Sequence, residues 1–233
     1  MSFSTIIFDL FGTLVSGHAW HNHETVVQEM ALMLGAPVSA FVDLFEGETR
    51  ENREIGSFSS IEANIAFICN KLGITASSDL INETALRRYE FTKQALDPRA
   101  DTISTLVDLQ EHGYKIGLIS DCSPDVPPLW LKTPMAKYIA EPIFSSNVGV
   151  KKPSPKIYEL AIEKYQASPS QCLYVGDGGS YELTGAKQMG MIPVLLKIPG
   201  EEISDRMRPD AQSWNGLTIS SLSQVKELLQ NAS

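Results

Sequence analysis

The sequence predicts an α/β fold: a doubly wound, Rossmann-like parallel sheet into which a helical segment is inserted. Three observations support this prediction. The apolar run at residues 6–8 has the composition of a strand that is buried on both faces of a parallel sheet. Residues 16–98 show helical periodicity but no convincing strand, whereas strands and helices alternate from residue 99 onward. We therefore expect a core domain of residues 1–15 and 99–233, and a helical cap domain of residues 16–98.

The inserted segment contains four predicted helices. Apolar side chains recur at helical spacing, and glycine or proline residues interrupt the pattern between the segments. These spacings predict helices at residues 23–34, 39–54, 61–72 and 77–95. Because no strand separates these helices, they do not form alternating strand–helix units of the sheet. We expect them to pack on one another as a separate helical subdomain.

The rest of the chain alternates between short apolar runs and amphipathic stretches. Strands are predicted at residues 115–119, 143–145, 173–175 and 192–196, with a weak edge strand at 211–214. Helices are predicted at residues 100–111, 155–165, 182–189 and 221–230. Three prolines favour a loop or a short helical turn at residues 123–131, and the polar stretch 199–209 is typical of a surface loop.

Composition excludes several classes of function. The net charge of −9 argues against a nucleic-acid partner, which would require a basic stripe. No apolar run approaches the roughly 18 residues of a membrane span, and the first residues lack the pattern of a signal peptide. The three cysteines are widely spaced, as in proteins of reducing compartments. We expect a cytoplasmic protein that is a monomer or a homodimer.

Chemically active residues stand at the ends of the predicted strands. Asp9 follows the first strand, Ser120 ends a second, Lys152 precedes a proline, and Asp177 is followed by two glycines. Ligands of open α/β sheets bind beyond the carboxyl ends of the strands, so we expect these residues to converge on one anion pocket. Together and in this order, the four stretches resemble the motifs of the haloacid dehalogenase superfamily, in the group with a helical cap of the first type.

The resemblance implies a hydrolase in which Asp9 is the nucleophile and forms a covalent intermediate. It makes Ser120 a hydrogen-bond donor to a phosphoryl or carboxylate oxygen. Lys152 would pair with Asp9 and with the anionic transition state. Thr13 is included as a further catalytic candidate, and Lys151 is expected to be solvated.

The resemblance also implies Mg²⁺ as the cofactor and a small phosphorylated metabolite as the substrate. The carboxylates of Asp9 and Asp177 and the main-chain carbonyl of Phe11 would supply oxygen ligands. Glu182, five residues after Asp177, would hold a metal-bound water or Lys152. Candidates for contacting the substrate itself are Asp121, His18 and Arg53.

Phe11 departs from the phosphatase pattern. Most phosphatases of the superfamily carry a second aspartate two residues after the nucleophile, which exchanges a proton with the leaving group and with water. A positioned acid or base contributes roughly 10²–10⁴ in rate, and a phenyl ring supplies none. The dehalogenases of the superfamily carry an aromatic residue there, but they use no metal and have serine where this chain has Asp177.

Three interpretations follow, and we prefer them in this order. The first is a Mg²⁺-dependent phosphohydrolase whose substrate has a good leaving group, or whose missing acid comes from the cap, for example from His18, His21 or His23. An exposed histidine-rich loop is the more frequent reason for such a pattern. The second is a weakly active or non-catalytic regulator that binds a phosphorylated ligand. The third is a 2-haloacid dehalogenase in which Arg50 or Arg53 holds the substrate carboxylate, although arginines in this context are more often on a helix surface.

Overall fold

The computed structural model describes residues 3–17, 22–201 and 208–231. Its centre is a sheet of parallel strands in the order β3-β2-β1-β4-β5-β6. The strands are β1 (Thr5–Phe8), β2 (Lys115–Ser120), β3 (Ile143–Phe144), β4 (Cys172–Gly176), β5 (Ile192–Leu196) and β6 (Leu217–Ile219). The predicted α/β, Rossmann-like fold is therefore confirmed.

Strand β1 lies in the middle of the sheet because both of its faces are apolar. Ile6 and Phe8 pack into one hydrophobic cluster and Ile7 packs into another, and all three side chains are fully buried. Phe8 lies opposite Leu118 of β2 and Val175 of β4. Because these strands are parallel and in register, their carboxyl ends meet at one edge, directly beside Asp9.

Helices cover both faces of the sheet. The core helices are α6 (Thr102–Glu111), α7 (Val126–Trp130), α8 (Ser145–Val148), α9 (Pro155–Tyr165), α10 (Glu182–Gln188), α11 (Pro209–Ser213) and α12 (Gln224–Asn231). Buried side chains of α6, α7 and α12 pack with Ile6 and Phe8, while those of α9 and α10 pack with Ile7. The two layers identify a doubly wound arrangement.

The segment between β1 and α6 is helical, as predicted. It contains α1 (His23–Met33), α2 (Val38–Val42), a π-helical segment (Asp43–Glu48), α3 (Arg50–Glu54), α4 (Ile61–Lys71) and α5 (Ser78–Ala95). The Ser60 and Ser77 side chains cap α4 and α5 by accepting hydrogen bonds from backbone N–H groups. Buried apolar side chains between residues 26 and 91 form a separate hydrophobic cluster.

Two local predictions were wrong. The edge strand predicted at residues 211–214 is largely in α11, and the edge strand is β6 instead. Pro209 suits the first turn of α11, where a helix needs no N–H donor, and the Asp210 carboxylate accepts the backbone N–H groups of Leu183 and Thr184. The single helix predicted at 39–54 is divided by the π-helical segment.

The remaining local predictions agree with the structure to within a few residues, and residues 126–130 adopt the helical alternative for the proline-rich stretch. The positions of His18 and His21, and most of the loop predicted at 199–209, lie outside the described residues. Within the described ranges, no helix is both long and apolar enough to cross a bilayer.

Candidate active site

A buried lysine joins two acidic residues at the carboxyl edge of the sheet. Lys152 Nζ lies 2.6 Å from Asp9 Oδ1 and 2.6 Å from Glu182 Oε2. All three side chains are buried, and Glu182 is entirely so. Burial alone would lower the pKa of Lys152, but the Asp9 and Glu182 carboxylates raise it well above its ordinary value. Lys152 is therefore a permanent cation beside Asp9.

Asp177 lies in the same cluster. Its Oδ1 accepts the Gly179 N–H at 2.9 Å, and its Oδ2 lies 2.9 Å from Arg208 Nε. Burial and the neighbouring Asp9 carboxylate raise the pKa of Asp177 to about 6, against the opposing charge of Arg208. Asp177 is thus ionised at neutral pH only against a cost in free energy, which a further cation would reduce.

The three carboxylates form a donor set that fits a metal ion. One oxygen from each of Asp9, Asp177 and Glu182 lies within 4.8 Å of the others, and all three residues are buried. Oxygen-only ligands are those that hard divalent cations prefer. Glu182 is also held by the protein, because it accepts hydrogen bonds from Tyr174 Oη at 2.9 Å and from Gly178 N–H at 3.0 Å.

Close backbone approach makes this cluster possible. Gly12 has φ of +84°, and a Cβ atom there would lie 1.9 Å from Asp177 Oδ2. A Cβ atom on Gly176 would lie 2.2 Å from Glu182 Oε1. Only glycine allows the Asp9 loop and β4 to pass so near to the carboxylates.

The two hydroxyl residues predicted for the site are buried. Ser120 Oγ, at the end of β2, and Thr13 Oγ1, in the loop after β1, have no hydrogen-bond partner among the described residues. A buried hydroxyl without a partner costs about 1–3 kcal/mol. Neither residue is among those that line the cavity described next.

A cavity of about 220 Å³ lies between this edge of the sheet and the inserted helices. On the side of the sheet it is lined by Asp9, Phe11, Asp121, Lys152, Asp177, Glu182 and Arg208, among others. On the side of the insertion its polar lining includes His23, Glu46, Arg50, Arg53, Glu54 and Arg88. Charged residues of both signs therefore face whatever occupies the cavity.

Arg53 is buried, which contradicts the expectation of a helix-surface arginine. Its Nη1 donates to the Phe45 carbonyl at 2.5 Å, to Thr49 Oγ1 at 3.0 Å and to Asn64 Oδ1 at 3.1 Å. Its guanidinium also stacks on the Phe45 ring, at 3.8 Å from the centroid. Burial lowers the pKa of Arg53 to about 10, so it remains a cation at neutral pH.

His23 does not lie in an exposed loop, since it begins α1 and lines the cavity. Its Nδ1 is 3.6 Å from Glu46 Oε2. Burial and the charge of Arg88 lower the pKa of His23 to about 3, so the imidazole is neutral near pH 7. A neutral imidazole in this position does not supply a proton to a leaving group.

Lys151 was wrongly expected to be merely solvated. Its Nζ lies 2.6 Å from Glu54 Oε2, so it connects the sheet side of the cavity to α3. A second connection joins Arg88 Nε of α5 to Asp125 Oδ2 at 3.0 Å, and both of these side chains are buried. Ion pairs thus bridge the inserted helices and the core.

Sequence reasoning missed two arginines that shape the site. Arg208 pairs with Asp177, and Arg99 donates from Nε to the Thr13 carbonyl and from Nη2 to the Gly12 carbonyl, each at 2.8 Å. Arg99 therefore holds the loop that follows Asp9. Neither arginine belongs to a motif, and each lies at least 31 residues from the site residues named here, so no local signal marked it.

Comparison with known proteins identifies the class. A model of the family "haloacid dehalogenase-like hydrolase" matches residues 3–190, so the chain belongs to this family of hydrolases. It is 32% identical over 117 residues to the glyceraldehyde 3-phosphate phosphatase of Methanopyrus kandleri, an alignment that covers 48% of this chain and 49% of the relative. The chain thus spans about half the length of that relative.

Two further similarities extend over most of the chain. Pyrophosphatase PpaX of Bacillus pumilus is 25% identical over 219 residues, which cover 89% of this chain and 90% of the relative. The crystal structure of a 2-haloacid dehalogenase from Pseudomonas syringae pv. Tomato covers 99% of this chain and 100% of its own, with 23% identity and a TM-score of 0.70. The second similarity concerns the fold alone.

Proposed function

We propose that the protein is a Mg²⁺-dependent phosphohydrolase that cleaves a small phosphorylated metabolite through an aspartyl-phosphate on Asp9. The observation that carries this proposal is the buried cluster of Asp9, Asp177 and Glu182, whose excess negative charge a divalent cation would offset. The relatives named as phosphatases and as a pyrophosphatase support the same chemistry.

The residues around Asp9 have complementary roles in this proposal. The Asp9 carboxylate attacks phosphorus while Lys152 offsets negative charge that develops on the phosphoryl oxygens. The buried hydroxyls of Ser120 and Thr13 have no partner among the described residues, and a phosphoryl oxygen would provide one for Ser120. Arg99 keeps the Asp9 loop in place through the Gly12 and Thr13 carbonyls.

The proposed ligands of Mg²⁺ are the Asp9 and Asp177 carboxylates and the Phe11 main-chain carbonyl, with Glu182 positioned by Lys152, Tyr174 and Gly178. When bound, the ion would neutralise phosphoryl charge and align the substrate with Asp9. Asp177 is the residue that favours a metal-dependent phosphohydrolase over a dehalogenase. Its buried carboxylate adds negative charge to the site, and a bound cation would stabilise that charge.

The cavity limits the substrate to a small molecule. A volume of about 220 Å³ lies below the 300–1,000 Å³ that is typical of drug-sized ligand pockets. We assign residues 16–98 to a cap that closes this cavity, supported by their separate hydrophobic cluster and by the ion pairs that join them to the core. Arg53, and His18 as an expectation from sequence, would face the part of the substrate beyond the phosphoryl group.

The proposal includes a cytoplasmic location, which the three buried cysteines without disulfides support. A monomer or a homodimer without nucleic-acid or membrane partners remains our expectation from the sequence.

Phosphate release from p-nitrophenyl phosphate and acetyl phosphate tests the function. We expect turnover with Mg²⁺, loss of turnover on chelation, and loss of turnover in Asp9→Asn. The exposed Asp79→Asn variant is the matched control and should keep wild-type activity. No phosphate release from these compounds or from a panel of phosphorylated metabolites, with or without Mg²⁺, would contradict the proposal.

Dehalogenation is an alternative because Phe11 replaces an acid and the buried cation Arg53 lines the same cavity. Halide release from 2-chloropropionate without metal would support it over the phosphohydrolase. Tight binding of a phosphorylated compound without turnover of either substrate class would instead support the regulator.

A further inference from the structure

The proposed reaction leaves one proton without a carrier. Cleavage of an alkyl phosphate releases an alkoxide, and a positioned acid accelerates such a step by roughly 10²–10⁴. Phe11 has no proton to give, and the low pKa of His23 removes the described histidine in the cavity from this role. The remaining candidates are the carboxyl groups that line the cavity.

Four of these carboxylates are paired at short distance with cations of the protein: Asp9, Glu54, Asp177 and Glu182. Lys151 and Arg50 lower the pKa of Glu54 despite its burial, so Glu54 is a poor proton donor at neutral pH. Asp9 is the proposed nucleophile, and Asp177 and Glu182 belong to the proposed metal cluster, so these three groups already have other roles.

Asp121 differs from these four. Its Oδ1 accepts the backbone N–H of Lys152 at 2.9 Å, which fixes the orientation of the carboxyl group. Its Oδ2 is buried and forms no hydrogen bond with any residue that the structure describes. Asp121 lies one residue past the end of β2, the strand next to β1, so the backbone holds it on the same edge as Asp9.

The surroundings of Asp121 favour a carboxyl group that can carry a proton. Burial raises the pKa of Asp121, and so do the charges of Asp9 and Glu54, whereas Lys152 lowers it, with a net shift upward. Glu46 is the rival group, because its Oε1 is also buried without a hydrogen bond among the described residues. However, Glu46 belongs to the inserted helices and not to the edge of the sheet that carries Asp9. Its carboxylate lies 3.8 Å from Arg53 Nη2 and 3.6 Å from His23 Nδ1, so its neighbours are groups of the insertion.

We propose that Asp121 is the general acid that protonates the leaving group and the general base that activates the water. It would thereby take the role that Phe11 cannot fill. This inference rests on the proposed phosphohydrolase function. In the first step the Asp9 carboxylate attacks phosphorus, the P–O bond to the alkoxide breaks, and Asp121 Oδ2–H protonates that alkoxide to give the alcohol.

The second step restores both groups. The Asp121 carboxylate takes a proton from water as the water oxygen attacks the phosphorus of the aspartyl-phosphate. The P–O bond to Asp9 breaks, the Asp9 carboxylate is regenerated, and inorganic phosphate leaves. One ester and one water thus give one alcohol and one phosphate, with Asp121 protonated again.

Leaving-group dependence tests the inference. We expect Asp121→Asn to lower kcat for a primary alkyl phosphate by roughly 10²–10³, because its leaving group needs a proton. The same variant should lose less than about tenfold with p-nitrophenyl phosphate and acetyl phosphate, whose leaving groups are stable as anions. Glu46→Gln is the matched control and should show no such dependence on the leaving group.

Rescue sharpens the test. Asp121→Glu keeps a carboxyl group and should retain part of the alkyl phosphatase activity, and Phe11→Asp in the Asp121→Asn background should restore at least about tenfold. Thermal melting of every variant separates misfolding from lost chemistry. An equal loss for all leaving groups in folded Asp121→Asn, or leaving-group dependence in Glu46→Gln instead, would overturn the inference.

The outcomes also distinguish this inference from the function it rests on. If the wild type releases phosphate and Asp9→Asn does not, the proposed function holds whatever Asp121→Asn does. If the wild type releases no phosphate from any of these compounds, both proposals fail together.

Discussion

Removal of the Lys152 ammonium should damage the protein more than removal of any exposed lysine. Lys152→Met keeps an unbranched side chain out to the ε position and deletes the cation that lies 2.6 Å from both Asp9 and Glu182. Those two carboxylates stay buried, with Glu182 fully excluded from solvent. The variant therefore leaves two like charges in a site that lacks water to stabilise them.

Breaking a buried ion pair by removing one partner costs roughly 3–5 kcal/mol. For a chain of this length, about 1 kcal/mol shifts Tm by roughly 2–4 °C, so Tm should fall by about 6–20 °C. Loss of a cation that stabilises developing charge should also lower kcat by roughly 10²–10³.

Differential scanning calorimetry in the presence of chelator measures the stability effect. Lys151→Met is the matched control, since its partner Glu54 is also acidic but Lys151 is about one-third exposed, and it should cost about 1 kcal/mol or less. Adding Glu182→Gln to Lys152→Met removes one of the stranded charges and should recover roughly 1–3 kcal/mol.

Two results would refute this reasoning. One is a Lys152→Met variant that is no less stable than Lys151→Met. The other is a double variant that is less stable than Lys152→Met alone, which would mean that Glu182 stabilises the fold through Tyr174 and Gly178 rather than through the lysine.

Three other perturbations probe the same site and its contact with the inserted helices. Because the pKa of Asp177 is raised to about 6, the stability it contributes is full below about pH 4 and is lost as pH rises through 6. In chelator at pH 8, Asp177→Asn should therefore gain up to about 3 kcal/mol over the wild type in thermal melts, with the gain absent at pH 4, and only the wild type should be stabilised by Mg²⁺. Gly12→Ala should cost roughly 1–3 kcal/mol in urea melts, because the new Cβ overlaps Asp177 Oδ2 and φ is positive; unchanged stability would contradict the close approach. Arg88→Met should cost roughly 3–5 kcal/mol by removing the cationic partner of the buried Asp125, and Arg88→Met with Asp125→Asn should be more stable than Arg88→Met alone.

Periodicity predicted the bounds of helices and strands well where residues inside the segment itself determine its structure. The helix predicted at residues 155–165 and the strand at 192–196 have the predicted bounds, because proline at a first helical turn and a run of apolar residues act locally. The prediction was wrong at residues 211–214, where the hydrogen bonds of Asp210 to α10 stabilise a helix. Those partners lie more than 25 residues away and leave no periodic signal.

The order of apolar runs and the residues that follow them already implied the sheet, the helical insertion and an acidic site beside Asp9. Each of these depends on features that lie close together in sequence, such as a strand and the residue that ends it. The pairing of Arg208 with Asp177, the burial of Arg53 and the unpartnered oxygen of Asp121 emerged only when the chain was folded. These three features depend on which polar groups are buried away from water. Packing between segments that are distant in sequence determines that burial.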